Sequence, residues 1–229
     1  MKQSWIKTTV GECLNVSNGQ TNPEEIGTLN VFGSNGIIDH CKKSNSPKNT
    51  IVIGRVGNCG VVNFSKEECW VTDNALKATA KDGNNAMFFY YLLKSLNLGR
   101  LKGGSVQPLI TQSILNSIEI IAPAIPYQDA IASILDSFDE KIRLNNQLNK
   151  RLEKFIKVIF DYWFVQFDFP DENGMPYKSS GGEMTFSKEL NKEIPIGWSS
   201  GKLNDLGKIS GGSTPTKKDS MNFTDSGIP

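Results

Sequence analysis

Apolar positions in the first half of the chain come in short runs punctuated by glycine. Ile51-Val-Ile53 and Val61-Val-Asn-Phe64 are β-favouring stretches separated by Gly54, Gly57 and Gly60, a hairpin-like arrangement. Asn84-Asn85 predicts the cap of a helix through Phe88, Phe89, Tyr91, Leu92, Leu93 and Leu96, whose apolar positions fit one buried face. Ile118-Glu-Ile-Ile121 reads as a closing strand stopped by Pro123 and Pro126. Residues 1–124 are therefore expected to form an α/β (α+β) globular domain.

After Pro126 the texture changes. From Tyr127 to about Gln166 there is no Gly or Pro, and a heptad pattern holds. Ile131, Phe138, Asn145, Leu152 and Ile159 form one row, and Ile134, Lys141, Leu148, Phe155 and Tyr162 the second. This is a coiled-coil seam with polar interruptions at Lys141 and Asn145. A flanking row (Leu135, Ile142, Ile156, Trp163) widens the apolar stripe beyond what one partner helix covers. The long helix is placed at 125–167, a rod of roughly 60 Å. Such a stripe needs a partner, and the predicted partner-facing residues are Ile131, Ile134, Phe138, Ile142, Asn145, Leu148, Leu152, Phe155, Ile159 and Trp163. Residues 168–197, with Pro170, Gly174, Pro176, Gly181 and Gly182, read as a turn-rich linker.

An internal repeat organises the rest. Trp5 to Thr21 lines up without gaps on Trp198 to Thr214: Val10 meets Leu203, Cys13 meets Leu206, Val16 meets Ile209, Ser17 meets Ser210, and Gly19 meets Gly212. Apolar positions three apart before a Ser-x-Gly-x-Thr turn predict a short helix running into a loop. Residues 198–229 are expected to be the start of a second unit, too short for a core of its own.

The 229 residues carry a net charge of +1, with 38% apolar and 21% charged positions, which is ordinary for a globular chain. Charge is nevertheless polarised. Cys41 to Lys66 contains Lys42, Lys43, Lys48, Arg55 and Lys66 and no acid, and Gly83 to Ile118 contains Lys94, Arg100 and Lys102 and no acid. An unbalanced positive field suits a polyanion, although chance clustering on a solvated surface gives the same count. The 129–172 stretch, by contrast, has more acids than bases. No signal-peptide or membrane-spanning run is apparent, so a cytoplasmic location is expected. Cys13, Cys41, Cys59 and Cys69 form no C-x-x-C pair and His40 is the sole histidine, so buried reduced thiols and no metal site are expected.

Candidate chemistry is sparse. One histidine supports no Ser-His-Asp or Cys-His arrangement, the Gly54–Gly60 loop has the wrong spacing for a dinucleotide fingerprint, and no P-loop occurs. Asp139-Glu140-Lys141 has the letters of a nuclease motif but lies in the heptad helix with no upstream partner. The chain is expected to be non-catalytic and to need no cofactor.

Several phrases, in their order along the chain, resemble the DNA specificity subunit of type I restriction–modification systems. They are Gly33-Ser34-Asn35-Gly36-Ile37-Ile38, Ile51-Val-Ile-Gly-Arg55-Val-Gly57-Asn-Cys-Gly60, Trp70-Val-Thr-Asp73-Asn74 and Gly104-Ser105-Val-Gln107-Pro108-Leu-Ile-Thr111. The junction Ala122-Pro123…Gln128-Asp-Ala-Ile131, the helix Asp139-Glu-Lys-Ile142-Arg-Leu-Asn145, its exit Phe160-Asp-Tyr-Trp163-Phe164-Val-Gln-Phe167-Asp168, the linker Asp171-Glu-Asn-Gly174…Gly182-Glu183 and Ile194-Pro-Ile-Gly-Trp198 complete the set.

The resemblance implies a target-recognition domain at 1–124 followed by a helix that measures the distance between half-sites. It also implies a truncated second recognition domain at 198–229 and no catalytic residues. Modification (methyltransferase) subunits dock on the helices of such subunits, and restriction subunits join them. Duplex DNA is then the polyanion, and acid-free polar loops are the candidates to contact it: Asn35, Lys42, Lys43, Asn58, Lys102, Ser105, Gln107 and Thr111. Arg55 either contacts phosphate or ties its turn together. Two copies pairing antiparallel through their helices would read an interrupted palindrome, with Asn145 setting register. The other reading is a truncated interaction protein that pairs with a full-length specificity subunit or sequesters modification subunits.

Overall fold

A computed structural model of the chain describes residues 5–101 and 109–214. The chain divides into two compact units, Met1–Gln147 and Leu148–Pro229, with the boundary inside one long helix. This is the expected fold class, a mixed α/β domain followed by that helix.

The first unit opens with strand β1 (Ile6–Thr9), one helical turn α1 (Val10–Cys13) and strand β2 (Leu14–Asn18). The three-apart apolar spacing predicts a helix running into a loop here, and the structure corrects that reading. Val10 and Cys13 do share the helical turn, but Leu14 and Val16 then alternate inward while Asn15 and Ser17 face out, the period of a strand with one buried face. β2 pairs with β8 (Ala75–Ala80), β8 with β5 (Thr50–Gly54), and β5 with β6 (Val62–Ser65), all antiparallel. The β5–β6 pair is the predicted hairpin, with Ile51 opposite Phe64 and Ile53 opposite Val62.

β5 is buried along its whole length, and its alternation divides the core. Ile51 and Ile53 join Val10, Leu14, Leu76, Phe89, Leu93 and Leu115, whereas Val52 joins Phe32, Cys69, Val71 and Ala75. The first cluster is closed by α2 (Ala86–Ser95), which Asn85 caps by accepting from Phe88 N at 2.9 Å. The second is closed by a three-stranded sheet in which β3 (Ile26–Gly33) lies between β4 (Gly36–Cys41) and β7 (Trp70–Val71). Each large aliphatic side chain so buried is worth roughly 1.5–3 kcal/mol. A 3₁₀ turn (Leu98–Leu101), α3 (Gln112–Asn116) and β9 (Glu119–Ala122) follow, and β9 is the expected closing strand, antiparallel to β1.

Helix α4 runs 36 residues, Ile125–Phe160. Pro126 sits in its first turn, where its missing N–H leaves no bond unmade. Ile131 and Ala132 pack on the domain core, so Ile131 does not belong to the open apolar row, which begins at Ile134. The α-helix closes in a π-helical turn (Asp161–Val165), with Gln166 N donating to Asp161 O at 2.9 Å. The wider turn takes Trp163 off the phase that an α-helix would have kept.

In the second unit the stretch read as a turn-rich linker carries ordered structure. Strands β10 (Met184–Ser187) and β11 (Lys192–Pro195) pair antiparallel. Phe169 is stacked between Tyr177 and Trp198, with centroids 4.8 and 5.5 Å away. Buried Asp168 accepts from Ser179 N at 2.7 Å and Ser179 Oγ at 2.6 Å, which lowers its carboxyl below the usual range, the hydroxyl contributing most. A last helical turn, α5 (Leu203–Leu206), follows. No helix among the described residues is long and apolar enough to cross a membrane.

Candidate nucleic-acid interface

Two glycines build the loop rim at one end of the four-stranded sheet. A Cβ on Gly54 would stand 2.3 Å from Ser34 O and 2.4 Å from Asn58 O, so only glycine lets the β3–β4 turn and the 55–60 loop meet there. Gly60, at φ +85°, lies equally close to the Leu98–Gly99 backbone. Arg55 N donates to Asn74 O at 3.0 Å, and Arg55 O accepts from Ile110 N at 3.1 Å and from Cys59 Sγ at 2.8 Å. The turn at Asn35, the Arg55–Asn58 loop and the segment leading to Thr111 thus converge, although they are far apart in sequence.

Asn35 and Asn58 are exposed on this rim. The Arg55 backbone ties the turn together, as one sequence alternative held, while its Nε is buried with no hydrogen-bond partner. A guanidinium N–H without an acceptor is costly to bury and is suited to an incoming anion. Thr111 has a local structural role: its hydroxyl accepts from Ile114 N at 3.2 Å and caps α3. Lys42 and Lys43 lie at the far end of β4 from Asn35, and Lys43 pairs with Glu25 at 3.5 Å, so they do not join the rim. Lys102, Ser105 and Gln107 lie outside the described residues.

The acid-free Cys41–Lys66 segment is less positive in the fold than in the sequence. Lys48 meets Glu67 at 2.8 Å and Lys66 meets Asp136 at 2.8 Å. Only Lys42 and Arg55 of this segment have no ionic partner among the described residues. Sequence reasoning missed Asn30 and Asn63. With Asn35 and Ile37 they line a groove of about 510 Å³ beside the rim, and Asn63 Nδ2 is buried without a partner. Its signal was the polar residue within the apolar Val61–Phe64 run.

None of the four buried cysteines is in a disulfide. Burial pushes the Cys41 and Cys69 thiols up, which keeps them protonated and poorly nucleophilic. Among the described residues no group of three or more His, Cys, Asp or Glu is placed to hold a metal ion.

The second candidate surface is the open side of α4. Ile134, Phe138, Ile142, Leu148, Leu152 and Phe155 are between 47% and 60% exposed, and Asn145 lies exposed among them. Ile159 is half-buried, and Trp163 makes an edge contact with Phe164 at 6.4 Å. These side chains leave a regular apolar row open along one side of α4.

The sequence profile of a family described as "Type I restriction modification DNA specificity domain" matches residues 5–154. The chain is similar to the type I restriction enzyme MjaIX specificity subunit of Methanocaldococcus jannaschii, 30% identical over 196 residues, covering 84% of this chain and 43% of that protein. It is also similar to the EcoprrI specificity subunit of Escherichia coli, 30% identical over 135 residues, covering 58% of this chain and 34% of that one. The chain spans less than half the length of these curated relatives. A crystal structure of the type I restriction–modification system S subunit from M. genitalium shares the fold, with a TM-score of 0.64 and 24% identity, over 72% of this chain and 47% of that one.

Proposed function

The chain belongs to the family of type I restriction–modification DNA specificity domains, and from that premise we propose that it is the non-catalytic part that tells its complex where on DNA to act. The profile match carries this reading because it takes in both the loop rim and the long helix. The recognition domain binds one half-site of duplex DNA. Arg55 meets a phosphate, and Asn35 and Asn58 are placed to reach base edges, where an amide pairs bidentately with adenine. Lys42, Lys102, Ser105 and Gln107 remain candidates for further contacts.

The open row of α4 takes a second copy of the chain in an isologous antiparallel pairing, and modification subunits dock on the same helices, with restriction subunits joining them. The row supports this because its side chains are too apolar and too exposed for a solvated surface. A two-fold pair reads the same half-site twice, so the target is an interrupted palindrome. Mapping methylated bases in cells that hold this chain and a modification subunit tests the reading. Methylation at an interrupted palindrome is the expected result; an asymmetric target, or none, overturns it.

A further inference from the structure

α4 uses two faces for two purposes. Ile134, Phe138, Ile142, Asn145, Leu148 and Leu152 follow one another around a single side of the helix, and Gln128, Asp129, Ala132, Asp136 and Asp139 share another, roughly 150° away at 100° per residue. The second face meets the recognition domain, and little of that contact is apolar. Ala132 is buried and Ile131 and Leu135 are half-buried there, and apolar packing, being non-directional, sets no preferred angle of a domain on a cylinder.

Directional bonds supply what packing does not. At the start of α2, buried Gln128 accepts from Asn85 N at 2.9 Å and donates to Asn84 Oδ1 at 2.9 Å and Pro123 O at 3.0 Å. The Asn85 amide, already the α2 cap, also donates to Asp129 at 2.7 Å. Further along α2, Tyr91 donates its hydroxyl to Asp139 at 3.0 Å. Beyond the end of β6, Lys66 grips both oxygens of Asp136 at 2.8 and 3.0 Å. The three anchors come from two elements of the domain and reach α4 at successive points along it, Gln128–Asp129, Asp136 and Asp139, so each restrains a motion the others leave open. Burial, with Asp139 adding to it, raises the Tyr91 pKa, so the hydroxyl stays a donor throughout the physiological range.

We propose that Tyr91–Asp139, Lys66–Asp136 and the Asn85–Gln128–Asp129 group form a three-point clamp that sets the angle of the recognition domain on its helix, and thereby the spacing between half-sites that the complex accepts. The proposal rests on the two-half-site reading above and makes Tyr91 and Lys66 positioning residues. Over about 30 Å of helix, a tilt of ~6° moves the far end by the ~3.4 Å rise of one base pair. A loosened clamp therefore blurs the spacer without changing the half-site sequence.

The test uses the full chain with its modification subunit on duplexes bearing the mapped half-sites at the native spacer and at one base pair more or fewer. The Tyr91→Phe/Lys66→Met double variant is expected to cut the preference for the native spacer at least fivefold with half-site sequence unchanged. Lys66→Arg, which keeps the ion pair, should restore most of it in the Tyr91→Phe background. A spacer preference as sharp as wild type overturns the clamp. Should the wild-type chain direct no methylation, the specificity reading fails by itself. The clamp is then judged by spin labels at exposed Ser44→Cys and Asn146→Cys, whose distance distribution broadens in the double variant if the clamp is real and keeps its wild-type width if it is not.

Discussion

The chain contains the same opening phrase twice, and the two copies meet opposite fates. Val10–Cys13 and Leu203–Leu206 occupy matching positions in the repeat, and each forms one helical turn. Each third residue of the turn reaches back to its cap: Glu12 accepts from Thr9 N at 2.9 Å, and Asp205 from Lys202 N at 2.7 Å. Beyond that local geometry nothing matches. Val10 and Cys13 are buried among Leu115, Ile120 and Phe89, whereas Leu203, Leu206 and Ile209 are 74%, 86% and 68% exposed. A capping box is local chemistry and forms wherever its residues occur. Burial needs a sheet and helices to pack against, and among the described residues only the first copy packs on them.

Cutting into the buried copy breaks that comparison most sharply. Leu14→Ala, at 1% exposure, should cost about 2–5 kcal/mol in urea unfolding, whereas Leu206→Ala in the exposed copy should stay within about 0.5 kcal/mol. Equal costs would mean that the second copy is packed in solution. The caps sharpen the contrast at smaller scale. Thr9 accepts from Glu12 N at 3.3 Å, which Lys202, with no acceptor in its side chain, cannot do for Asp205. Thr9→Ala should therefore cost about 1 kcal/mol by the same measurement.

The smallest expected effect is on pH dependence. The Thr8 hydroxyl, followed by Thr9 N–H, holds the Glu12 carboxyl below its ordinary range. A lowered carboxyl pKa adds stability above the ordinary value of about 4.3 and loses it as pH falls. Urea midpoints of wild type and Glu12→Gln should accordingly differ slightly at pH 7 and converge toward pH 3.

How much was legible follows the range of each interaction. The β5–β6 hairpin, the Asn85 cap and the heptad row of α4 were readable because their causes lie within a few residues of their effects. The β2 strand was misread because its cause is β8, which lies far along the chain. Ile131 was assigned to the open row because periodicity shows that a face is apolar but not what covers it. The positive field of Cys41–Lys66 was overstated because Glu25, Glu67 and Asp136, the acids that offset it, lie outside that segment. Asn63 escaped notice because one polar residue in a strand looks like noise until the groove around it is seen.

Alone, the order of residues determined the β5–β6 hairpin, the α2 cap, the closing strand, the heptad helix, the repeat and the family, since each is written in short spacings or in the succession of phrases. Only tertiary structure decided which of two like phrases is buried, which lysines remain uncompensated, and which side of α4 faces its own domain. Those outcomes depend on groups that meet only after the chain has folded, and the distance between Lys66 and Asp136 along the sequence carries no sign of the 2.8 Å between them in space.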